Sequence, residues 1–75
     1  MLNVVEVIVV EGRDDMVNLK RFIQGDFILT RGYQLSKDTQ NAIVTAAKSR
    51  GIIVLTDPDF AGNVIRSRIV KLCKD

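Results

Sequence analysis

This 75-residue sequence predicts an α/β fold with a parallel sheet, on three observations. Runs rich in β-branched residues at 4–10, 27–30 and 52–55 alternate with three segments of helical periodicity. The run at 52–55 (Ile-Ile-Val-Leu) has no polar residue, the pattern of a strand buried on both faces. Asp57-Pro58-Asp59 follows that run. It thus falls at the carboxyl end of a strand, the edge where ligands bind in open α/β sheets.

Each element follows from local chemistry. Residues 4–10 (Val-Val-Glu-Val-Ile-Val-Val) form the first strand, ended by Glu11-Gly12-Arg13-Asp14-Asp15. Met16, Leu19, Phe22 and Ile23 recur at helical spacing, and Gly25-Asp26 closes that helix. Asp14 or Asp15 caps it or sits in its first turn. Phe27, Ile28, Leu29 and Thr30 make the second strand, and Arg31-Gly32-Tyr33-Gln34 a loop. Ser36 is an N-cap for a second helix whose apolar face is Ala42, Ile43, Ala46 and Ala47. Lys48-Ser49-Arg50 gives a basic last turn and Gly51 the stop. The third strand is 52–55, and a third helix after Gly62 carries the stripe Ile65, Ile69 and Leu72.

The order is βαβαβα, a three-layer α/β/α arrangement in one domain, residues 1–75. Glu11 ends the first strand, and Asp57 and Asp59 follow the third. For these carboxylates to share a site, the two strands must be neighbours, about 4.8 Å apart. Right-handed crossovers then give the order 2-1-3, with the first helix on one face and the other two on the opposite face. The third strand is left as an apolar edge, an unusual place for a domain to end. A fourth strand after Asp75 is the expected missing element, and the chain reads as a fragment of a longer one. Pairing of two such edges across a two-fold axis is the expected route to self-association.

Composition narrows the chemistry. With 47% hydrophobic and 27% charged residues the chain is globular. No apolar run approaches the roughly 20 residues of a membrane span. The N-terminus has no signal-peptide pattern. The single cysteine, Cys73, suits a reducing cytoplasm. Without histidine, Cys/His zinc sites and His-based triads are excluded. The net charge of +2 is compatible with a polyanion without arguing for one. Two carboxylates fixed on a proline corner repel each other unless a cation or proton lies between them, which points to a hard divalent metal with oxygen ligands.

Glu11-Gly12-Arg13-Asp14-Asp15 after the first strand, with Thr56-Asp57-Pro58-Asp59-Phe60-Ala61-Gly62 after the third, resembles the Toprim domain family. Within that family the chain is similar to the N-terminal catalytic domain of the ribonuclease M-five type, which matures precursor 5S ribosomal RNA. The similarity rests on Glu6 through Gly12, Thr30-Arg31-Gly32, Val54 through Asp59, and Ile65-Arg66. Asn63 departs from the usual Glu, and Tyr33-Gln34 from smaller residues.

The resemblance implies a Rossmann-like Toprim fold and a metal-dependent endoribonuclease. Glu11 would be a metal ligand or general acid/base, and Asp57 and Asp59 metal ligands. Mg²⁺ is the expected ion, with Mn²⁺ as substitute. Arg13, Arg31 and Arg66 are candidates for phosphate or RNA contact. Asp15 either supports the metal or caps the first helix, and Gly12 and Gly62 support backbone turns. The implied partners are precursor 5S RNA and, through regions outside these residues, a ribosomal protein.

Two other readings stand beside this one. A phospho-receiver would use Asp14-Asp15 with Asp57 as phosphoacceptor, but leaves Glu11 and Asp59 unexplained. An inactive minimal Toprim fold would keep the carboxylates without the activity.

Overall fold

The structure of the chain, a computed structural model, describes residues 1–31, 35–57 and 59–74, with residues 60 and 61 as backbone. The expected loop at 32–34 and the Pro58 corner lie outside the described residues. In chain order the elements are β1 (Leu2–Asn3), β2 (Val7–Val10), α1 (Arg13–Lys20), β3 (Ile23–Gln24), β4 (Phe27–Leu29), α2 (Lys37–Ser49), β5 (Ile52–Leu55) and α3 (Phe60–Leu72).

The main sheet is parallel, in the order β4-β2-β5. That is the expected 2-1-3 arrangement, with the first long strand in the middle. All four residues of β2 are buried. Val9 pairs with Ile28 on one side and Val54 on the other. With Ile43 of α2 and Ile65 and Ile69 of α3 it forms the buried cluster on one face of the sheet. Ile28, Ile52, Val54 and Leu72 complete that layer from its margin. Each fully buried Val or Ile side chain contributes about 1.5–3 kcal/mol relative to exposure, so this face holds most of the stabilising apolar contact. Helix α1 packs on β2, β3 and β4.

Helix α2 forms as its sequence requires. The Ser36 hydroxyl accepts from the Thr39 N–H at 3.1 Å, Asp38 lies in the first turn and Lys48 in the last. Gly51 ends it at φ +83, a conformation open to glycine at little cost, and its N–H donates to the Ala46 carbonyl at 2.9 Å.

Five local expectations are corrected. The first strand begins at Val7 instead of residue 4, because Val4 is drawn away: its N–H donates to the Gln24 carbonyl at 3.0 Å. Helix α1 ends at Lys20, and Ile23–Gln24 instead pairs in parallel with Leu2–Asn3. Phe22 therefore leaves the expected stripe and is exposed. Ala42 also faces solvent, and the α2 core is Ile43 and Ala46. Ile53 and Leu55 are only partly covered, since β5 is the edge strand and its second face is incompletely roofed. Finally, α3 starts at Phe60, so Gly62 lies in its first turn instead of before it.

Candidate metal centre

The carboxyl edge of the sheet carries a polar row set by strand register. Val10 pairs with Leu29 and with Leu55. The next residues are Thr30, Glu11 and Thr56, so Glu11 sits at the centre of the edge with a threonine on each flanking strand. The ladder runs on into this row: the Thr30 N–H donates to the Val10 carbonyl and the Arg31 N–H to the Glu11 carbonyl, each at 2.9 Å.

Glu11 is half-buried, and its Oε1 is enclosed without a hydrogen-bond partner. Burial raises its pKa above the usual carboxylate value, and the charge of Asp57 raises it further, with smaller contributions from Asp59 and Asp15. A hydrogen bond from the Asp57 backbone N–H opposes this shift. An enclosed carboxylate oxygen beside a second carboxylate is costly without a counter-charge.

Asp59 is the N-cap of α3, and its Oδ1 accepts from the Gly62 N–H at 2.7 Å. A Cβ at position 62 would collide with the Asp57 carbonyl oxygen. Glycine is therefore needed for α3 to seat against the Asp57 backbone. Asp15 is similarly occupied: its Oδ2 accepts from the Gly12 N–H at 3.3 Å at the start of α1. The Gly12 backbone is extended (φ −135, ψ 167), so no left-handed geometry demands a glycine there.

The arginines divide into two groups. Arg13 and Arg31 line an open groove of about 500 Å³ with Glu11, Gly12, Asp14 and Asp15. Arg31 has φ 57, the left-handed region that non-glycine residues seldom enter. Arg66 lies on the other flank, where its Nη2 donates to the Thr56 Oγ1 at 3.4 Å. Between α1 and β5 is a second cleft, of about 270 Å³, with Val10, Leu19 and Leu55 as apolar lining and Asp15, Asn18, Thr56 and Asp57 as polar lining.

Among the described residues no three acidic or thiol groups converge to cage a metal ion. Of the neighbouring carboxylates Asp57 acts most strongly on the charge of Glu11, while Asp59 spends one oxygen on the helix cap. This set fits a hard cation that takes one or two carboxylates and completes its shell with waters and phosphate oxygens. The unpartnered Glu11 Oε1 is the observation that supports the fit. Sequence reasoning did not place Thr30 and Thr56 in the site. Their signal was positional: each is the first polar residue after a strand flanking Glu11.

No helix among the described residues is long and apolar enough to cross a membrane. The family profile described as Toprim domain matches residues 6–75. The chain is 51% identical over 69 residues to Ribonuclease M5 of Staphylococcus aureus, covering 92% of this chain and 39% of that protein. It is likewise 51% identical over 69 residues to Ribonuclease M5 of Clostridium acetobutylicum, covering 92% and 37%. Against Ribonuclease M5 of Bacillus subtilis the identity is 44% over 68 residues, covering 91% and 37%. The chain thus spans less than two-fifths of the length of each of these relatives.

Proposed function

Since this chain belongs to the Toprim domain family, we propose that it is the metal-dependent catalytic domain of an endoribonuclease acting on structured RNA, of the precursor 5S ribosomal type. The observation that carries this reading is the enclosed, unpartnered Glu11 Oε1 next to Asp57, at the sheet edge and flanked by arginines. The name of the relatives, Ribonuclease M5, supports RNA as the substrate. Glu11 and Asp57 would hold the ion, Mg²⁺ in the cell and Mn²⁺ as substitute, with Asp59 lending its second oxygen.

When bound, such an ion polarises a phosphoryl oxygen and activates water at neutral pH. The chain's own residues do the positioning. Arg13 and Arg31 offer guanidinium groups to the phosphates entering the groove beside Glu11. Arg66, held on Thr56, presents positive charge on the opposite flank. The α3 cap holds the Asp59 carboxylate and the tight Gly62 contact holds the Asp57 backbone, so little reorganisation of either accompanies binding. A receiver reading with Asp57 as phosphoacceptor gives no role to the enclosed Glu11. A reducing cytoplasm, suited to the free Cys73, is the proposed compartment.

The test is Mg²⁺-dependent endonucleolytic cutting of a labelled precursor 5S RNA at high protein concentration. Wild type is compared with Asp57→Asn and with EDTA. Cutting is expected to be slow, since these residues correspond to only part of each relative. Products that need both the metal and Asp57 support the proposal. Products that form equally in EDTA and with Asp57→Asn would sink it.

A further inference from the structure

Two side-chain oxygens among the described residues are buried without a hydrogen-bond partner, Glu11 Oε1 and Thr30 Oγ1. Thr30 is 4% exposed, the one buried polar residue among the described residues. A buried hydroxyl without a partner is costly, and valine has nearly the same shape without that cost. Packing therefore gives no reason for threonine here.

Register supplies one. Leu29 pairs with Val10, and the backbone bonds continue one step further, from the Thr30 N–H to the Val10 carbonyl and from the Arg31 N–H to the Glu11 carbonyl. Thr30 thus stands beside Glu11, and neighbours across a ladder project to the same face. Their chemistry is complementary. An ionised carboxylate only accepts, and a hydroxyl has a proton to give.

We propose that Thr30 is a positioning residue for Glu11. Unpartnered in the metal-free structure, its hydroxyl donates to the Glu11 carboxylate when a cation is bound at the sheet edge, and holds it in the rotamer that the cation requires. The remaining lone pairs are left for the ion. This inference rests on the metal site proposed above.

The experiment measures Mn²⁺ affinity by electron paramagnetic resonance of the free ion, with thermal melting in EDTA alongside. The proteins are wild type, Thr30→Val, Thr30→Ser and Asp57→Asn. Thr30→Val is expected to melt at or above the wild-type temperature in EDTA, because an unpaired buried hydroxyl is gone. Its Mn²⁺ dissociation constant should rise about tenfold, the usual scale for losing an outer hydrogen bond to a metal ligand. Thr30→Ser, which keeps the hydroxyl, should return to the wild-type range. Wild-type affinity in Thr30→Val, with affinity lost in Asp57→Asn, overturns the role of Thr30 alone. Equal loss in the Val and Ser variants also overturns it, by assigning the effect to the methyl group. Unchanged affinity in all four proteins overturns the metal site and this inference with it.

Discussion

The Asp59 carboxylate accepts the Gly62 N–H at 2.7 Å, so one of the two aspartates expected at the metal is also the cap of a helix. Asparagine caps a helix about as well as aspartate, and alanine costs about 1 kcal/mol. In EDTA, Asp59→Asn should therefore melt close to wild type, while Asp59→Ala melts several degrees lower. Thermal melting of both variants checks this. Equal melting of the Ala and Asn variants would show that the cap contributes nothing.

Gly62→Ala should destabilise the fold. In an ordinary helix interior alanine is about 1 kcal/mol better than glycine. Here the added Cβ meets the Asp57 carbonyl oxygen, and forcing such overlap costs about 1–3 kcal/mol. Urea denaturation gives the sign directly, and a stabilised Gly62→Ala variant would contradict the observed packing of α3 on Asp57.

Metal binding should stabilise the wild-type fold by about 2.7 kcal/mol at a hundredfold excess over Kd. Asp57→Asn should abolish most of that gain. In EDTA the same variant should melt slightly higher than wild type, because the charge that faces Glu11 is removed. Calorimetric scans with EDTA, Mg²⁺ and Mn²⁺ separate the two effects.

Glu11→Gln should show a pH-dependent gain in the metal-free protein. The folded-state pKa of Glu11 is raised, by burial first and by the Asp57 charge next. Its contribution to stability is therefore fully present below the unfolded value of about 4.3 and is lost as pH rises through the folded value. Wild type and variant should melt closest together at acid pH and diverge above that window, with the variant higher. Melting curves from acid to neutral pH in EDTA test it, and a gap that narrows with rising pH would reverse the sign.

Arg31→Gly should separate stability from binding. Relief of the left-handed backbone at φ 57 is worth about 1–2 kcal/mol, so this variant should unfold at higher urea. Loss of the guanidinium beside Glu11 should weaken RNA binding and lower the salt slope by about 1. Filter binding over a salt series measures the second effect. An unchanged slope would remove Arg31 from the phosphate groove.

The sequence by itself determined the layered parallel architecture, because hydrophobic period and turn residues are local signals. The runs at 27–30 and 52–55, the Ser36 cap and the Gly51 stop could be read from neighbouring residues alone, as could the acidic groups that follow the strands. Tertiary structure decided what non-local pairing controls. Parallel pairing of Leu2–Asn3 with Ile23–Gln24 ended α1 early and left Phe22 exposed, although its spacing matched a core stripe. Strand register placed Thr30 and Thr56 on either side of Glu11, which no spacing along the chain reveals. The seating of α3 on the Asp57 carbonyl committed one oxygen of Asp59 to a cap and made Gly62 part of the helix. Residue type sets which groups can bind a cation. Which of their lone pairs stay free depends on contacts between segments distant in sequence.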